Sequence, residues 1–223
     1  MEKFAVLVAG GKGVRMGTAL PKQFLPLAGR PVLYHSVRAF IDTFPDVHLV
    51  LVLPPEQLSY AHMVLQHFPA GLDLSVVAGG ETRFHSVQNG LRSVPPGAVV
   101  FVHDGVRPLV SPALIRRCYE QAVAQGSAIP AIPVSDSIRM IKDNGSHAVN
   151  RELLRSIQTP QTFRSDVLLP AFAREWSDAF TDEATVVEAH GTDIFLVEGE
   201  KSNIKVTTPE DLVLAEALLK ERF

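Results

Sequence analysis

The residues of this chain best suited to chemistry are cations set beside a glycine turn. Ala9-Gly10-Gly11-Lys12-Gly13-Val14-Arg15-Met16 begins where the apolar run Phe4–Val8 stops, and Pro21-Lys22-Gln23-Phe24 follows shortly. Glycines permit a tight bend and let backbone N–H groups press against an anion. Arg15 and Lys22 add positive charge beside that bend. A glycine turn after a strand suggests phosphate; the added arginine and lysine suggest a triphosphate undergoing chemistry. The spacing Gly11-x-Gly13-x-x-x-Gly17 misses the dinucleotide fingerprint G-x-G-x-x-G, and no G-x-x-x-x-G-K-[ST] P-loop occurs. The plainer alternative is a strand-to-loop turn with solvated basic residues.

Other groups extend the set. His103-Asp104-Gly105-Val106-Arg107-Pro108 follows an apolar run, Ala98–His103. In open α/β sheets ligands bind beyond the carboxyl ends of the strands, which places Asp104 on the edge that carries the glycine turn. An aspartate there can hold a magnesium ion or a sugar hydroxyl, and Arg107 can grip phosphate with its planar fork. Either residue by itself would read as a helix-capping acid or a surface arginine. Gly79-Gly80-Glu81-Thr82-Arg83-Phe84-His85-Ser86 is a glycine turn feeding a helix. Its backbone can read a nucleobase edge, with Ser86 adding a hydroxyl, or Thr82 can simply cap. In Asn203-Ile204-Lys205-Val206-Thr207, strand-forming neighbours should pack the lysine stem and place its ammonium near phosphate, although a solvated strand lysine is the commoner case. Thr181-Asp182-Glu183-Ala184 reads first as a helix cap with acids at the positive end, and second as a Thr181 hydroxyl offered to a substrate. The eight histidines show neither H-x-x-x-H nor H-E-x-x-H, which disfavours a zinc enzyme, and no G-x-S-x-G elbow supplies a nucleophile.

The elements that must position these groups alternate. Continuous apolar runs at Phe4–Val8, Val47–Leu53 and Ala98–His103 fit strands buried on both faces. Helical patterns lie over Pro31–Ile41, Thr82–Val94 and Ser111–Gln125, then Asp166–Trp176, Thr181–His190 and a last helix from Thr208, with a strand at Ile194–Val197. Such alternation predicts an α/β fold, a mostly parallel Rossmann-like sheet flanked by helices. Ser137–Lys142, Asp143-Asn144-Gly145 and His147–Val149 read as a hairpin inserted into that rhythm. An isolated hairpin is marginal, so this one should pack against something, a second subunit or its own domain.

A length of 223 residues suits one domain spanning 1–223, with the arm at about 135–156. Apolar residues make up 46%, enough for a core without staples, and the net charge of −3 argues against a nucleic-acid surface. Cys118 is the lone cysteine, so no intrachain disulfide can form; a buried structural thiol is expected. The first apolar run is too short for a signal segment, and no stretch approaches the roughly 18 apolar residues of a membrane span. A cytoplasmic protein is the expectation.

Taken together, AGGKGVRM, PKQF, GGETRFHSV, VHDGVRP, PVSDSI, NRELLRSIQTPQTF, TDEA and NIKVTTPEDL resemble the 2-C-methyl-D-erythritol 4-phosphate cytidylyltransferases of the non-mevalonate isoprenoid pathway. They run in order from residue 9 to residue 212. The resemblance implies that Arg15, Lys22 and Lys205 stabilise charge at the reacting phosphorus. It assigns Ala9, Gly10, Gly11, Gly80, Glu81, Ser86 and Gly105 to the nucleotide. Asp104, Arg107, Thr159 and Thr181 would hold methylerythritol phosphate, and Ser137 and Arg151 on the arm would reach a partner subunit's site in a homodimer. It further implies CTP as co-substrate and Mg2+, or another divalent cation, carried by the triphosphate rather than by a protein metal site. Gly10 stands where alanine is more frequent, a form shared with ribitol-5-phosphate cytidylyltransferases, and Ser137 stands where threonine is common. Asn150–Leu153 and Thr181–Glu183 favour the methylerythritol branch. The competing readings are ribitol 5-phosphate as acceptor and a nucleotide-binding protein without turnover.

Overall fold

A computed structural model describes residues 1–10, 20–142 and 144–221. The strands are β1 (Lys3–Val8), β2 (Pro26–Leu27), β3 (Arg30–Pro31), β4 (His48–Leu53), β5 (Leu74–Ala78), β6 (Val99–Asp104), β7 (Ser127–Pro133), β8 (Ile138–Lys142), β9 (Gly145–Val149), β10 (Arg155–Ile157), β11 (Gln161–Arg164) and β12 (Leu196–Glu198). The helices are α1 (Val32–Thr43), α2 (His62–Leu65), α3 (Arg83–Leu91), α4 (Pro112–Gln125), α5 (Ser165–Phe172), α6 (Glu183–Ala189) and α7 (Pro209–Lys220). An eight-stranded sheet runs β10-β7-β11-β6-β1-β4-β5, with β12 also on β7. Its heart is parallel, β6-β1-β4-β5, with Val6 opposite Val50 on one side and Val102 on the other.

The period of two along β1 divides the core. Ala5 and Leu7 face a layer built on Leu33, Val37 and Phe40 of α1 and Leu114 and Cys118 of α4. Phe4, Val6 and Val8 face the opposite layer, with Phe84 and Val87 of α3, Leu168 and Phe172 of α5 and Val187 of α6. Helices on both faces explain why these strands read as unbroken apolar runs. Cys118 is buried as expected, and burial pushes its thiol up to about 12.

Local chemistry sets the helix ends. Ser111 Oγ accepts from Leu114 N, Pro112 takes the first turn, and Gly126 closes α4 at φ +92°, where a side chain would be strained. In α7, Thr208 and Asp211 cap reciprocally.

The sheet departs from the predicted pattern beyond β6. β11 pairs antiparallel with β6 and β7, β10 antiparallel with β7, and β12 parallel with β7. Pro130 and Pro133 disguise β7 in the sequence, because proline argues against a strand interior. The helix expected over Asp166–Trp176 ends at Phe172, and Pro170 lies inside it. Trp176 lies outside the helix and is half exposed. The hairpin forms as β8–β9, off the main sheet, with Met140 and Ile141 exposed.

Candidate active site

Three strand ends meet at one edge. Past the last residues of the strands the ladder continues: Ala9 N donates to Val52 O at 2.9 Å, Gly79 N to Leu53 O at 2.7 Å and Gly105 N to Val8 O at 2.9 Å. Ala9–Gly10 therefore lies beside Asp104–Gly105, and Gly79–Gly80 stands on the same edge across the end of β4. Gly80 tolerates no side chain, since a Cβ would overlap His85 Cβ. Ser86 holds that turn: its Oγ donates to Thr82 O at 2.9 Å and accepts from Gly80 N at 3.1 Å. Thr82 also caps α3, as its sequence position predicts.

Lys22 arrives on a short 3-10 turn, Lys22–Phe24. Its Nζ donates to Val206 O at 2.9 Å, joining segments 184 residues apart. Gln23 Nε2 donates to Ala9 O at 2.9 Å and so ties that turn to the end of β1. Lys205 Nζ lies 3.1 Å from Asp104 Oδ2. The neighbours of this lysine predict a strand; instead its segment crosses the edge as irregular backbone, pinned by Val206 N to Val106 O at 2.8 Å and by burial of Val206 against Ala215 of α7.

Asp104 is the hub. Besides Lys205, Arg107 Nε stands 3.3 Å from Oδ2 and Arg83 Nη2 stands 3.5 Å from Oδ1. Burial works against its charge, but Arg83, Lys205 and Arg107 prevail and hold its carboxyl well below the usual range. Arg107 is itself shifted down by burial, which Asp104 only partly offsets, and its Nη1 donates to Asn203 O at 2.8 Å. Beneath the carboxylate runs a relay. Asp104 N donates to Thr159 Oγ1 at 3.0 Å, and that hydroxyl donates onward to His103 Nδ1 at 3.1 Å. His103 Nε2–H then donates to Arg107 O at 3.2 Å. Burial pushes the His103 imidazole down to about 4, which agrees with this neutral tautomer.

Two cavities open from the hub. One, of about 310 Å3, is lined by Ala9, Gly10, Lys22, Gly80, Glu81, Ser86, Asp104 and Lys205 among others. The other, of about 150 Å3, is lined by Arg107, Thr159 and Thr181 and shares Arg83, Asp104 and Lys205 with the first. A positively charged wall between two anion-sized spaces can join two phosphorylated molecules.

The comparisons with known proteins agree. The profile described as IspD, 2-C-methyl-D-erythritol 4-phosphate cytidylyltransferase, matches residues 4–221. The chain belongs to the 2-C-methyl-D-erythritol 4-phosphate cytidylyltransferase family. A relative of that name from Bacteroides fragilis is 46% identical over 219 residues, covering 98% of this chain and 100% of the relative. The crystal structure of the enzyme so named from Thermus thermophilus is 34% identical, with TM-score 0.74, over 96% of this chain and 98% of that one. The 4-diphosphocytidyl-2C-methyl-D-erythritol synthase of Anaerococcus prevotii superposes with TM-score 0.82 at 27% identity, over 98% and 96%.

The residues expected at the nucleotide, Ala9, Gly10, Gly80, Glu81 and Ser86, share the larger cavity with Lys22 and Lys205. Gly105 sits at the end of β6, where a Cβ would press on Leu33 Cδ1 at 2.7 Å. Those expected at the acceptor, Asp104, Arg107, Thr159 and Thr181, share the smaller one. Gly11 and Arg15 lie outside the described residues. Ser137 and Arg151 are exposed on or beside the arm; Arg151 Nη1 donates to Ser135 O at 2.5 Å, and neither residue lines the two cavities. Of the two sequence readings of the 181–184 segment, the helix cap is observed at Asp182, which opens α6, and Thr181 lines the smaller cavity.

The sequence reading missed Arg83 and Glu183. Arg83 lines both cavities and forks onto Glu183, whose carboxylate is wholly buried. The residues stand within motifs already singled out, but their pairing spans 100 positions, so nothing local announces it. Among the described residues no group of three or more His, Cys, Asp or Glu is placed to hold a metal ion.

Proposed function

We propose that this chain joins CTP to 2-C-methyl-D-erythritol 4-phosphate. The products are 4-diphosphocytidyl-2-C-methyl-D-erythritol and pyrophosphate, on the non-mevalonate route to isoprenoid precursors. The observation that carries the reading is the meeting of Lys22 and Lys205 on one cavity wall, with Lys205 and Asp104 also bounding a second cavity. An oxygen of the acceptor phosphate attacks the α-phosphorus of CTP, and the bond from that phosphorus to the β-phosphate bridging oxygen breaks in line. The acceptor phosphate is already ionised, so no strong base is required. The task is to hold two anions together and to stabilise charge that grows at the α-phosphoryl oxygens. Lys22, Lys205 and Arg15 are assigned to that charge. The Ala9–Gly11 and Gly105 backbone borders the nucleotide, and Gly80, Glu81 and Ser86 read the cytosine. Asp104, Arg107, Thr159 and Thr181 receive the acceptor. Mg2+ enters with the triphosphate as part of the substrate.

The working unit in this reading is a homodimer in the cytoplasm, with Ser137 and Arg151 of each arm completing the partner's acceptor cavity. The exposed apolar residues Met140, Ile141 and Leu153 support it, as a marginal hairpin needs a surface to cover. Pyrophosphate release on mixing enzyme, CTP, Mg2+ and acceptor tests the activity. Methylerythritol phosphate should far outpace ribitol 5-phosphate; the reverse order would move the chain to the ribitol branch. Tight CTP binding without release would leave a binding protein. Mixing inactive Lys22→Ala with inactive Arg151→Ala protein should restore activity through hybrid dimers, and no recovery after proven subunit exchange would refute shared sites.

A further inference from the structure

Resting on that reading of the two cavities, we infer that Glu183 is a positioning residue for the acceptor, acting through Arg83 on Asp104. Glu183 opens α6 with its carboxylate buried. It meets Arg83 at two points, Oε1 with Nη1, and Oε2 with Nη2 at 3.0 Å. The same Nη2 stands 3.5 Å from Asp104 Oδ1, longer than a charge-assisted hydrogen bond of about 2.7–2.9 Å. The other oxygen of Asp104 is already engaged by Lys205 and Arg107.

The geometry divides the work. A planar guanidinium cannot turn toward a new partner without giving up both bonds of its fork. With Glu183 in place, Arg83 is held short of Asp104, and Oδ1 stays directed into the space between the cavities, able to accept from a hydroxyl of the polyol. Without that negative charge, Arg83 would close on Asp104 or lean toward phosphate, and Oδ1 would be lost to the acceptor. Fold stability does not demand such a pair, because apolar residues of similar volume often serve a buried position as well or better. Arg83 stands at the wall of both cavities with Glu183 bonded to it, and that placement points to alignment of the acceptor.

Glu183→Gln keeps the shape and removes the charge. The KM for methylerythritol phosphate should rise about tenfold while the KM for CTP stays within about twofold. Arg83→Lys, which keeps a cation and loses the fork, should split the two constants in the same sense. Direct binding of methylerythritol phosphate should show the Glu183→Gln loss in an otherwise native protein and not in an Asp104→Asn background, since the effect passes through that carboxylate. Equal changes in both constants, no change, additive losses, or failure of both variants to fold would each overturn the inference. Lys22→Ala and Lys205→Ala are assayed beside them. If these two keep native turnover, the site reading itself fails; if they lose it while Glu183→Gln binds acceptor normally, only the positioning role falls.

Discussion

Lys205 and Asp104 form an ion pair on the wall between two cavities, and Lys22 is bonded to the backbone beside Lys205. Preorganised charge of this kind needs no rearrangement as the transition state forms, and losing one such contact typically costs about 10²–10³ in turnover. Lys22→Ala and Lys205→Ala should each lower kcat by about that factor with circular dichroism unchanged; near-native rates in purified protein would remove them from the chemistry. His103 yields a pH prediction. Its folded pKa of about 4 lies below the ordinary 6.5, so between those values the unfolded chain binds a proton that the folded chain does not. Stability therefore rises with pH across that window and is lost as pH falls from 6.5 toward 4. Urea midpoints should follow this slope, and His103→Gln should flatten it.

At the scale of elements, the start of α7 decides where the Lys205 segment lies. Asp211 Oδ2 accepts from Thr207 N at 2.8 Å, Thr207 Oγ1 at 2.6 Å and Thr208 N at 2.9 Å. Burial opposes its charge, but these donors win and lower its pKa. The stabilisation is present above the unfolded value of about 3.9 and disappears as pH falls through the lower folded value. Asp211→Ala should cost about 1 kcal/mol at neutral pH, with the difference from the parent vanishing in acid melts. The turn from β5 into α3 has no slack either. Gly80→Ala would drive a methyl into His85 Cβ and press on its backbone. CTP affinity and thermal midpoint should both drop, the latter by the about 1–3 kcal/mol that overpacking costs, as measured by calorimetric titration and melting. If the arm builds the proposed homodimer, replacing β8–β9 with a short turn should leave a monomer in sedimentation and abolish turnover while the main sheet survives.

For the whole molecule, the parallel heart of the sheet and its covering helices were readable in the sequence. Residues buried on both faces leave unbroken apolar runs, and the caps at Ser111, Thr82 and Thr208 declare themselves within three positions. The Gly79–Gly80 turn and the places of Lys22, Asp104, Arg107 and Lys205 at the sheet edge were readable too, because each sits beside a strand end or in a motif of fixed order. The antiparallel side was not. β7 is disguised by prolines, β10 and β11 are short, and their pairing comes from partners distant in the chain. The Arg83–Glu183–Asp104 linkage belonged wholly to the tertiary structure. Periodicity and capping are local properties that a chain carries with it, whereas an ion pair between residues 83 and 183 exists only after the sheet has brought α3 and α6 together.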